Sequence, residues 1–298
     1  MPALPITFAC GLYDRMLALH TGDIKPAFVA LPVFASRVFR HGFIVVNRRR
    51  VSAAKDLAGK RIGVPLYTQT AAIFVRGLMQ HDLGIDLSGI EWVQGAVNEP
   101  GSYGHPSLMP LLKPVKITPN TTGKSLSDLL AAGEIAAIIG SNLPHALGRH
   151  ADVVRLFPDF RAREHDYFRR TRIFPIMHLI VIRKDLYERH PFVATSLYHA
   201  FAAAKDWAWQ KMRYPGTLRY MLPWLAADIE EVDTLFGGDC WPYGVEPNRP
   251  TLEALVAYMA EQGLIAGRFR SRSCLCRPTA NSFRRGVYTV FKCASRRW

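Results

Sequence analysis

The chain contains 298 residues, of which 49% are hydrophobic and 21% charged, a composition typical of a globular protein long enough for two domains. The formal net charge is +14, but residues 268–298 carry nine Lys and Arg side chains and no Asp or Glu, so the charge does not indicate a nucleic-acid-binding body. The two cysteines outside this tail, Cys10 and Cys240, are far apart in sequence and indicate neither a disulfide framework nor a metal site.

Targeting and partner signals are few. The first residues lack a basic stretch followed by an apolar run, and no apolar run reaches the ~18 residues of a membrane span. Basic and aromatic side chains do not alternate along one face of the body. We therefore expect a cytoplasmic protein with reduced thiols, no membrane partner and no nucleic-acid partner.

The N-terminal segment predicts a strand followed by a helix. Residues 4–10 are apolar, and Asp14 can cap a helix that begins after them. Arg15 would then lie near the carboxyl end of the strand, which is where ligands bind in open α/β sheets. A surface arginine paired with an acid is the alternative.

Three cationic or protonatable side chains, Arg37, Arg40 and His41, lie within five positions of one another. Apolar segments that predict strands flank them, at residues 28–33 and 43–47. Such a cluster forms either a solvated corner or the wall of an anion pocket, and the sequence leaves both open.

Residues 59–79 predict a strand, a turn and a helix. The strand covers Arg61–Val64 and ends at a proline, and apolar residues then recur at helical spacing, with Thr68 or Thr70 as N-cap. Unpaired backbone N–H groups at the helix start, beside the hydroxyls of Tyr67, Thr68 and Thr70, can bind a carboxylate. Ordinary capping residues of an α/β unit are the alternative.

A second strand end carries a small hydroxyl side chain. The capping-box spacing of Ser125 and Asp128 predicts a helix start, and residues 135–139 predict a buried strand that leads to Ser141. If the two strand ends converge on one cleft, they can hold a small anion from both sides.

The following segments predict a strand at 153–157, a helix at 158–172 and a buried strand at 179–182. His178, one position before that last strand, is expected in or near the core. A core imidazole bonded to a backbone carbonyl is the alternative to a functional histidine there. After Pro191 the pattern is mostly helical, over residues 192–211, 218–227, 229–235 and 252–262.

Alternating strands and helices predict a mainly parallel α/β architecture. We expect two lobes: residues 51–183 form one, and residues 1–50 join residues 184–266 to form the other. Residues 267–298 are expected to be a disordered basic tail. Two lobes joined by two crossings make a hinged cleft that can enclose a small ligand.

Several longer segments carry a resemblance to a known family, in consistent order over about residues 4–266. They read FACGLYDR, LPVFASRVFRHG, DLAGKRIGVPLYTQTAAIFVRGLM, RRTRIFPIMHLIVIRKDLYERHP, RYMLPWLAA and WPYGVEPNRPTLEAL. These segments resemble the 4,5-dihydroxyphthalate decarboxylase family, which has the type 2 periplasmic-binding-protein fold and is similar to the solute-binding proteins of ABC transporters. The resemblance implies the same two-lobed α/β fold for this chain.

The resemblance also implies a reaction in phthalate degradation. An aromatic ortho-dicarboxylate with two hydroxyls loses CO₂ and gives protocatechuate. This chemistry needs cations for the carboxylate that stays, an apolar surface against the one that leaves, and an acid that protonates the ring carbon. Because the catechol ring can act as electron sink, we expect no metal and no organic cofactor.

Residue roles follow from side-chain chemistry and position in the matching segments. The candidate substrate-binding residues are Arg15, Arg37, Arg40, Tyr67, Thr68, Thr70 and Ser141. Arg37 and Arg40 would hold the remaining carboxylate, bidentately where the guanidinium can reach it. His41 or His178 would donate the proton.

Two alternatives stay open for the function. The first is a solute-binding protein that closes on a small aromatic carboxylate without chemistry. The second is an inactive, truncated family member, because family members carry a further segment between the equivalents of Pro26 and Ala27, and the tail from Gly267 resembles nothing in the family. The sequence also leaves the oligomeric state open, with a homo-oligomer among the options.

Overall fold

A computed structural model describes residues 28–103, 111–214, 216 and 220–265. Its strands are β1 Phe28–Arg37, β2 Val45–Asn47, β3 Arg61–Val64, β4 Glu91–Gln94, β5 Ile117–Pro119, β6 Ala137–Ile138, β7 Val153–Arg155 and β8 Ile176–Arg183. Its α-helices are α1 Thr70–His81, α2 Leu126–Ala131, α3 Phe160–Thr171, α4 Lys184–Arg189, α5 Phe192–Arg213, α6 Leu225–Phe236 and α7 Arg249–Glu261. The predicted α/β class is confirmed.

The larger sheet of the described residues has six strands in the order β5-β4-β3-β6-β2-β7. Strand β3 is parallel to β4 and β6, and β4 is parallel to β5, whereas β2 is antiparallel to β6 and β7. The expectation of a mainly parallel sheet is therefore only partly right. Strand β2 follows β1 of the smaller sheet, so its direction is not set by a βαβ crossover from a neighbouring strand of the larger sheet.

The smaller sheet pairs β1 with β8 in antiparallel register, with Phe28 opposite Arg183 and Arg37 opposite Ile176. Apolar residues of both strands pack against α5, which runs beside this sheet. The chain passes between the two sheets at residues 38–44 and 172–175. A backbone hydrogen bond of 3.2 Å from Val38 N–H to the Pro175 carbonyl joins the two crossings.

Helix α1 packs its apolar residues under the larger sheet, and α7 covers its outer side. A Cβ on Gly77 of α1 would lie 2.2 Å from Cδ2 of Tyr258, so the helices approach this closely only because position 77 has no side chain. The capping box at the start of α2 forms as predicted, since Ser125 and Asp128 each accept a backbone N–H from the other.

Three local expectations were wrong. The N-cap of α1 is Gln69, not Thr68 or Thr70, and no side chain caps that helix. Residues 220–224 are not helical, because Pro223 disfavours a helical residue before it, and α6 begins at Leu225. His178 lies within β8 opposite Ser36 and is exposed, although Ile176 and Ile180 on the same side of the strand are buried. The pairing of β1 with β8 shifts register on both sides of this pair, so simple alternation of side chains does not hold there.

The division into lobes at residues 51 and 183 stays a prediction. The strand expected at residues 4–10, Arg15 and the tail from residue 267 lie outside the described residues. Within the described ranges, no helix combines the length and the apolar character needed to span a bilayer.

Candidate functional site

The strand order predicts a crevice at the end of the six-stranded sheet where the parallel strands have their carboxyl ends. From β3 the chain first forms β4 on one side and later β6 on the other, so the strand order reverses at β3. In open α/β sheets, ligands bind outside the carboxyl ends of the strands at such a point. The turn 65–69 after β3 and the segment 139–142 after β6 therefore define the first place to look for a site.

These two strand ends contact each other. The side-chain amide of Gln69 donates a 3.0 Å hydrogen bond to the Ser141 hydroxyl, which in turn donates to Asn142 Oδ1 over 2.6 Å. Gly140 has φ +152°, and a Cβ there would lie 2.7 Å from Cδ of Pro65. Glycine therefore allows the end of β6 to approach the turn that follows β3.

The turn after β3 is fixed by side chains from two neighbouring elements. Tyr67 N–H donates to Gln94 Oε1 over 2.8 Å, and the Tyr67 carbonyl accepts from Nη2 of Arg76, also over 2.8 Å. The Tyr67 ring lies in the core beside Trp92, with Cζ of Arg76 3.7 Å from its centroid. Thr68 is buried as well. Tyr67 thus presents its backbone, not its ring, at the edge of the sheet.

The same end of the sheet includes the start of β2 and the end of β7, because Val45 is opposite both Ile138 and Arg155. The crossing segment before β2 therefore enters the sheet at the carboxyl ends of β6 and β7. A cavity of about 360 Å³ opens beneath it and extends to Leu143, shortly after Ser141. We call this space the first cavity.

The first cavity combines aromatic walls with charged side chains. Among the described residues, the aromatic walls are Phe39, Phe43, Phe160 and Phe174. The charged side chains are Arg37, Arg155 and Glu164. Such a lining suits a planar aromatic ligand that carries negative charge.

Arg37, one of the predicted carboxylate holders, lines this cavity, but part of its guanidinium already donates hydrogen bonds within the protein. Its Nη2 donates to the Pro242 carbonyl over 3.0 Å and to Asn248 Oδ1. Its Nε is buried without a hydrogen-bond partner among the described residues. Burial lowers the pKa of the Arg37 guanidinium to about 10, so the group remains cationic at neutral pH.

Arg40, the second predicted holder, is not among the described residues that line the first cavity. Its Nη2 lies 2.9 Å from Sδ of Met177, and its guanidinium lies 4.7 Å from the ring centroid of Phe43. Burial lowers the pKa of Arg40 to about 10, against the opposing effect of the Glu164 carboxylate. Arg40 is thus a buried cation beside the site.

Arg155 and Glu164 were not identified from the sequence. Arg155 ends β7, donates from Nε to the Gly42 carbonyl over 3.1 Å and stacks over Phe160. Glu164 lies on α3, whose polar sequence is typical of a solvated surface helix. The pairing of β7 with β2 would have indicated Arg155, but this pairing is not visible in the sequence.

His41 is 3% exposed and lies between Tyr167 and Phe157, at ring-centroid distances of 5.1 and 6.3 Å. Its Nδ1 lies 3.7 Å from Oε1 of Glu164, and neither ring nitrogen has a hydrogen-bond partner among the described residues. His41 lines a second cavity, of about 310 Å³, on the other side of α3 from the first. His178 is exposed and is not among the described residues that line either cavity.

No group of three or more His, Cys, Asp or Glu side chains that could hold a metal ion occurs in the part of the chain that the structure describes.

Comparison with known proteins identifies the family. Over 275 residues, the chain is 32% identical to a 4,5-dihydroxyphthalate decarboxylase of Comamonas testosteroni, and the match covers 90% of this chain and 83% of that protein. The chain belongs to the 4,5-dihydroxyphthalate decarboxylase family. This result confirms the resemblance seen in the sequence motifs. No family model matches the chain.

Further similarities are more partial. The chain is 37% identical to a 4,5-dihydroxyphthalate decarboxylase of Pseudomonas putida over 161 residues, which cover 51% of this chain and 62% of that protein. Among solved structures, the periplasmic aliphatic sulphonate binding protein of Escherichia coli matches with a TM-score of 0.40 and 10% identity, over 90% of this chain and 75% of that one. A protein from Archaeoglobus fulgidus matches with a TM-score of 0.36 and 16% identity, over 82% and 76%. Structural similarity at these TM-scores is too low to indicate a shared function.

Proposed function

We propose that this chain is a carboxy-lyase that removes CO₂ from 4,5-dihydroxyphthalate, or from a related aromatic dicarboxylate, and forms protocatechuate. Family membership supports the reaction class, since both curated relatives are named 4,5-dihydroxyphthalate decarboxylase. The observation that carries the proposal is the first cavity, whose aromatic walls, two arginines and one glutamate enclose about 360 Å³. This volume falls within the ~300–1,000 Å³ range of small-molecule pockets.

The two arginines of the cavity have different roles. Arg155 is free to hold a carboxylate, because its Nη1 and Nη2 make no hydrogen bond to another described residue while Nε is anchored on the Gly42 carbonyl. A guanidinium oriented in this way can bind a carboxylate bidentately. Arg37, already bonded to Phe174, Pro242 and Asn248, contributes positive charge to the wall.

The aromatic walls promote the loss of CO₂. The carboxylate that leaves would lie against phenylalanine rings, where loss of hydration favours its conversion to a neutral gas. The hydroxyl para to that carboxylate donates electron density into the ring. The ring carbon can therefore accept a proton before the C–C bond breaks, and this route draws on no metal or organic cofactor.

We also assign the turn after β3 and the end of β6 to the site, although residues 65–70 and 139–142 are not among the described residues that line the first cavity. Thr70 opens α1 at the same edge of the sheet as Ser141, and the first N–H groups of a helix can bind a carboxylate or a catechol oxygen. The backbone of Tyr67, bonded to Gln94 and Arg76, fixes the turn, in which Thr68 is buried. Arg40 acts from behind the cavity wall through its charge.

The test is incubation of the purified chain with 4,5-dihydroxyphthalate and quantification of CO₂ and protocatechuate. We expect equal amounts of both products. Phthalate is the matched control ligand, because it lacks the para hydroxyl and should bind without losing CO₂. Calorimetric binding of 4,5-dihydroxyphthalate with no product at high protein concentration would overturn the proposal and favour a solute-binding protein.

A further inference from the structure

One pair of side chains connects the linings of the two cavities. Glu164 lines the first cavity, His41 lines the second, and Oε1 of Glu164 lies 3.7 Å from Nδ1 of His41. Glu164 is 13% exposed and also accepts a 3.4 Å hydrogen bond from Gly42 N–H. Because Glu164 lines the first cavity and His41 does not, Glu164 is the residue of the pair that can reach a bound ring.

The position of His41 calls for a functional explanation. A buried imidazole whose two nitrogens lack hydrogen bonds costs free energy relative to a solvated one. The aromatic rings of Tyr167 and Phe157 hold the His41 ring in place without offering a described polar partner for its nitrogens. His41 lies close to Glu164 and in the lining of the second cavity, so its imidazole can exchange a proton with Glu164.

The second cavity is a polar, open space. Its charged side chains are paired with each other: Arg163 with Asp159 at 2.9 Å, and Arg170 with Asp166 at 2.7 Å and with Asp82 at 2.9 Å. These pairs leave His41 as the protonatable group that links this cavity to Glu164. Both ring nitrogens of His41 are buried, so water in this space delivers a proton to the imidazole when the surrounding side chains move, and this route does not pass through the first cavity.

We infer that Glu164 is the catalytic acid of the decarboxylation and that His41 returns its proton from the second cavity. This inference rests on the function proposed above and adds the proton donor to it. If substrate and proton enter by separate paths, water stays away from the desolvated carboxylate while Glu164 is reprotonated.

The proton and electrons balance as follows. The Glu164 carboxylic acid gives its proton to the ring carbon that carries the leaving carboxylate, and a π-electron pair of the ring forms the new C–H bond. The C–C bond then breaks, its electron pair returns to the ring, and CO₂ leaves. The Glu164 carboxylate takes a proton from the His41 imidazolium, which takes one from water, so one proton is consumed for each CO₂ released.

Two cations lie near Glu164. Its carboxylate raises the pKa of Arg40 against the larger effect of burial, and Arg155 holds its Nε on the carbonyl of the same glycine whose N–H meets Glu164. Proton transfer therefore takes place in a positively charged part of the fold, which also attracts the anionic substrate.

The experiment compares Glu164→Gln and His41→Ala in the full chain. We expect Glu164→Gln, which keeps the shape of the side chain, to lower kcat at least about 100-fold with little change in the Kd for phthalate. His41→Ala should lower kcat at least about 10-fold at unchanged KM. Added imidazole should restore much of the His41→Ala rate, because the emptied ring position adjoins the second cavity, and should not restore Glu164→Gln.

The outcomes separate this inference from the proposed function. A wild-type chain that releases no CO₂ from 4,5-dihydroxyphthalate overturns both. An active wild-type chain with wild-type kcat in Glu164→Gln overturns the inference alone, as does a folded His41→Ala that imidazole fails to rescue. If His41→Ala does not fold, His41→Gln is measured in its place, and wild-type kcat in that variant refutes the role of His41.

Discussion

The Gln69 side-chain amide donates a 3.0 Å hydrogen bond to the hydroxyl of Ser141, across 72 positions of sequence. This contact joins the turn after β3 to the end of β6, the two strands at which the strand order of the sheet reverses. Gln69 Oε1 is buried without a partner among the described residues, so the amide is held by its NH₂ group. The pair fixes the separation of the two strand ends that border the proposed site.

Gly140→Ala tests this close approach. The new Cβ would lie 2.7 Å from Cδ of Pro65, and the φ of +152° is one that L residues rarely adopt. We expect a loss of about 2–3 kcal/mol in the free energy of unfolding, measured by urea denaturation. Gly148→Ala is the control, since Gly148 has a positive φ but nothing within 4 Å of its Cβ position, and it should lose about 1 kcal/mol.

Arg155→Ala tests the proposed carboxylate holder. Removing one charge-assisted contact of about 1.5–3 kcal/mol should lower kcat/KM for 4,5-dihydroxyphthalate at least ~10-fold. Steady-state assays of product formation measure this effect. Arg183→Ala is the matched control, because Arg183 is exposed and pairs with Asp185 at 2.7 Å, and its kinetics should equal those of the wild type. Equal kinetics in both variants would place the carboxylate elsewhere.

Arg76→Met tests the support of the turn after β3. Arg76 is fully buried, donates to the Tyr67 carbonyl and to Gln262 Oε1, and has no carboxylate partner among the described residues. Losing the guanidinium leaves two buried acceptors unpaired, so we expect the free energy of unfolding to fall by about 2–4 kcal/mol. Arg61→Met, at an exposed ion pair with Glu91, should change it by less than about 1 kcal/mol. A stable Arg76→Met would show that the turn holds its shape unaided.

Asp128→Asn tests the capping box and has a defined pH dependence. Hydrogen bonds from the Ser125 side chain and backbone hold the pKa of Asp128 below its usual value of 3.8. The stabilisation is therefore fully present above pH ~4 and is lost as the pH falls through the lowered pKa of the folded state. Urea denaturation at pH 7 should show a loss of about 0.5–1.5 kcal/mol in the free energy of unfolding relative to the wild type, the net value of a typical hydrogen bond. The difference should shrink at pH 3, and an equal difference at both pH values would contradict the assignment.

The sequence determined the features that depend on local patterns. The strand Arg61–Val64, the helix at Thr70–His81 and the Ser125 capping box follow from proline placement, apolar spacing and side-chain capping within a few residues. The family follows from long motifs in a fixed order. These features need no knowledge of distant contacts, which explains why sequence reasoning could reach them.

The tertiary structure decided which side chains face the first cavity. Arg155 reaches it because Val45 pairs with β7, and Glu164 reaches it because α3 packs beside the crossing before β2. By contrast, the Tyr67 ring turns into the core and His178 turns to solvent. For Arg155, Glu164 and His178, strand register and helix packing set the side-chain direction through contacts more than a hundred positions apart, whereas the Tyr67 ring packs on Trp92 and Arg76, which are nearer in sequence. Short-range sequence patterns do not show which distant residues come into contact, so these directions could not be predicted.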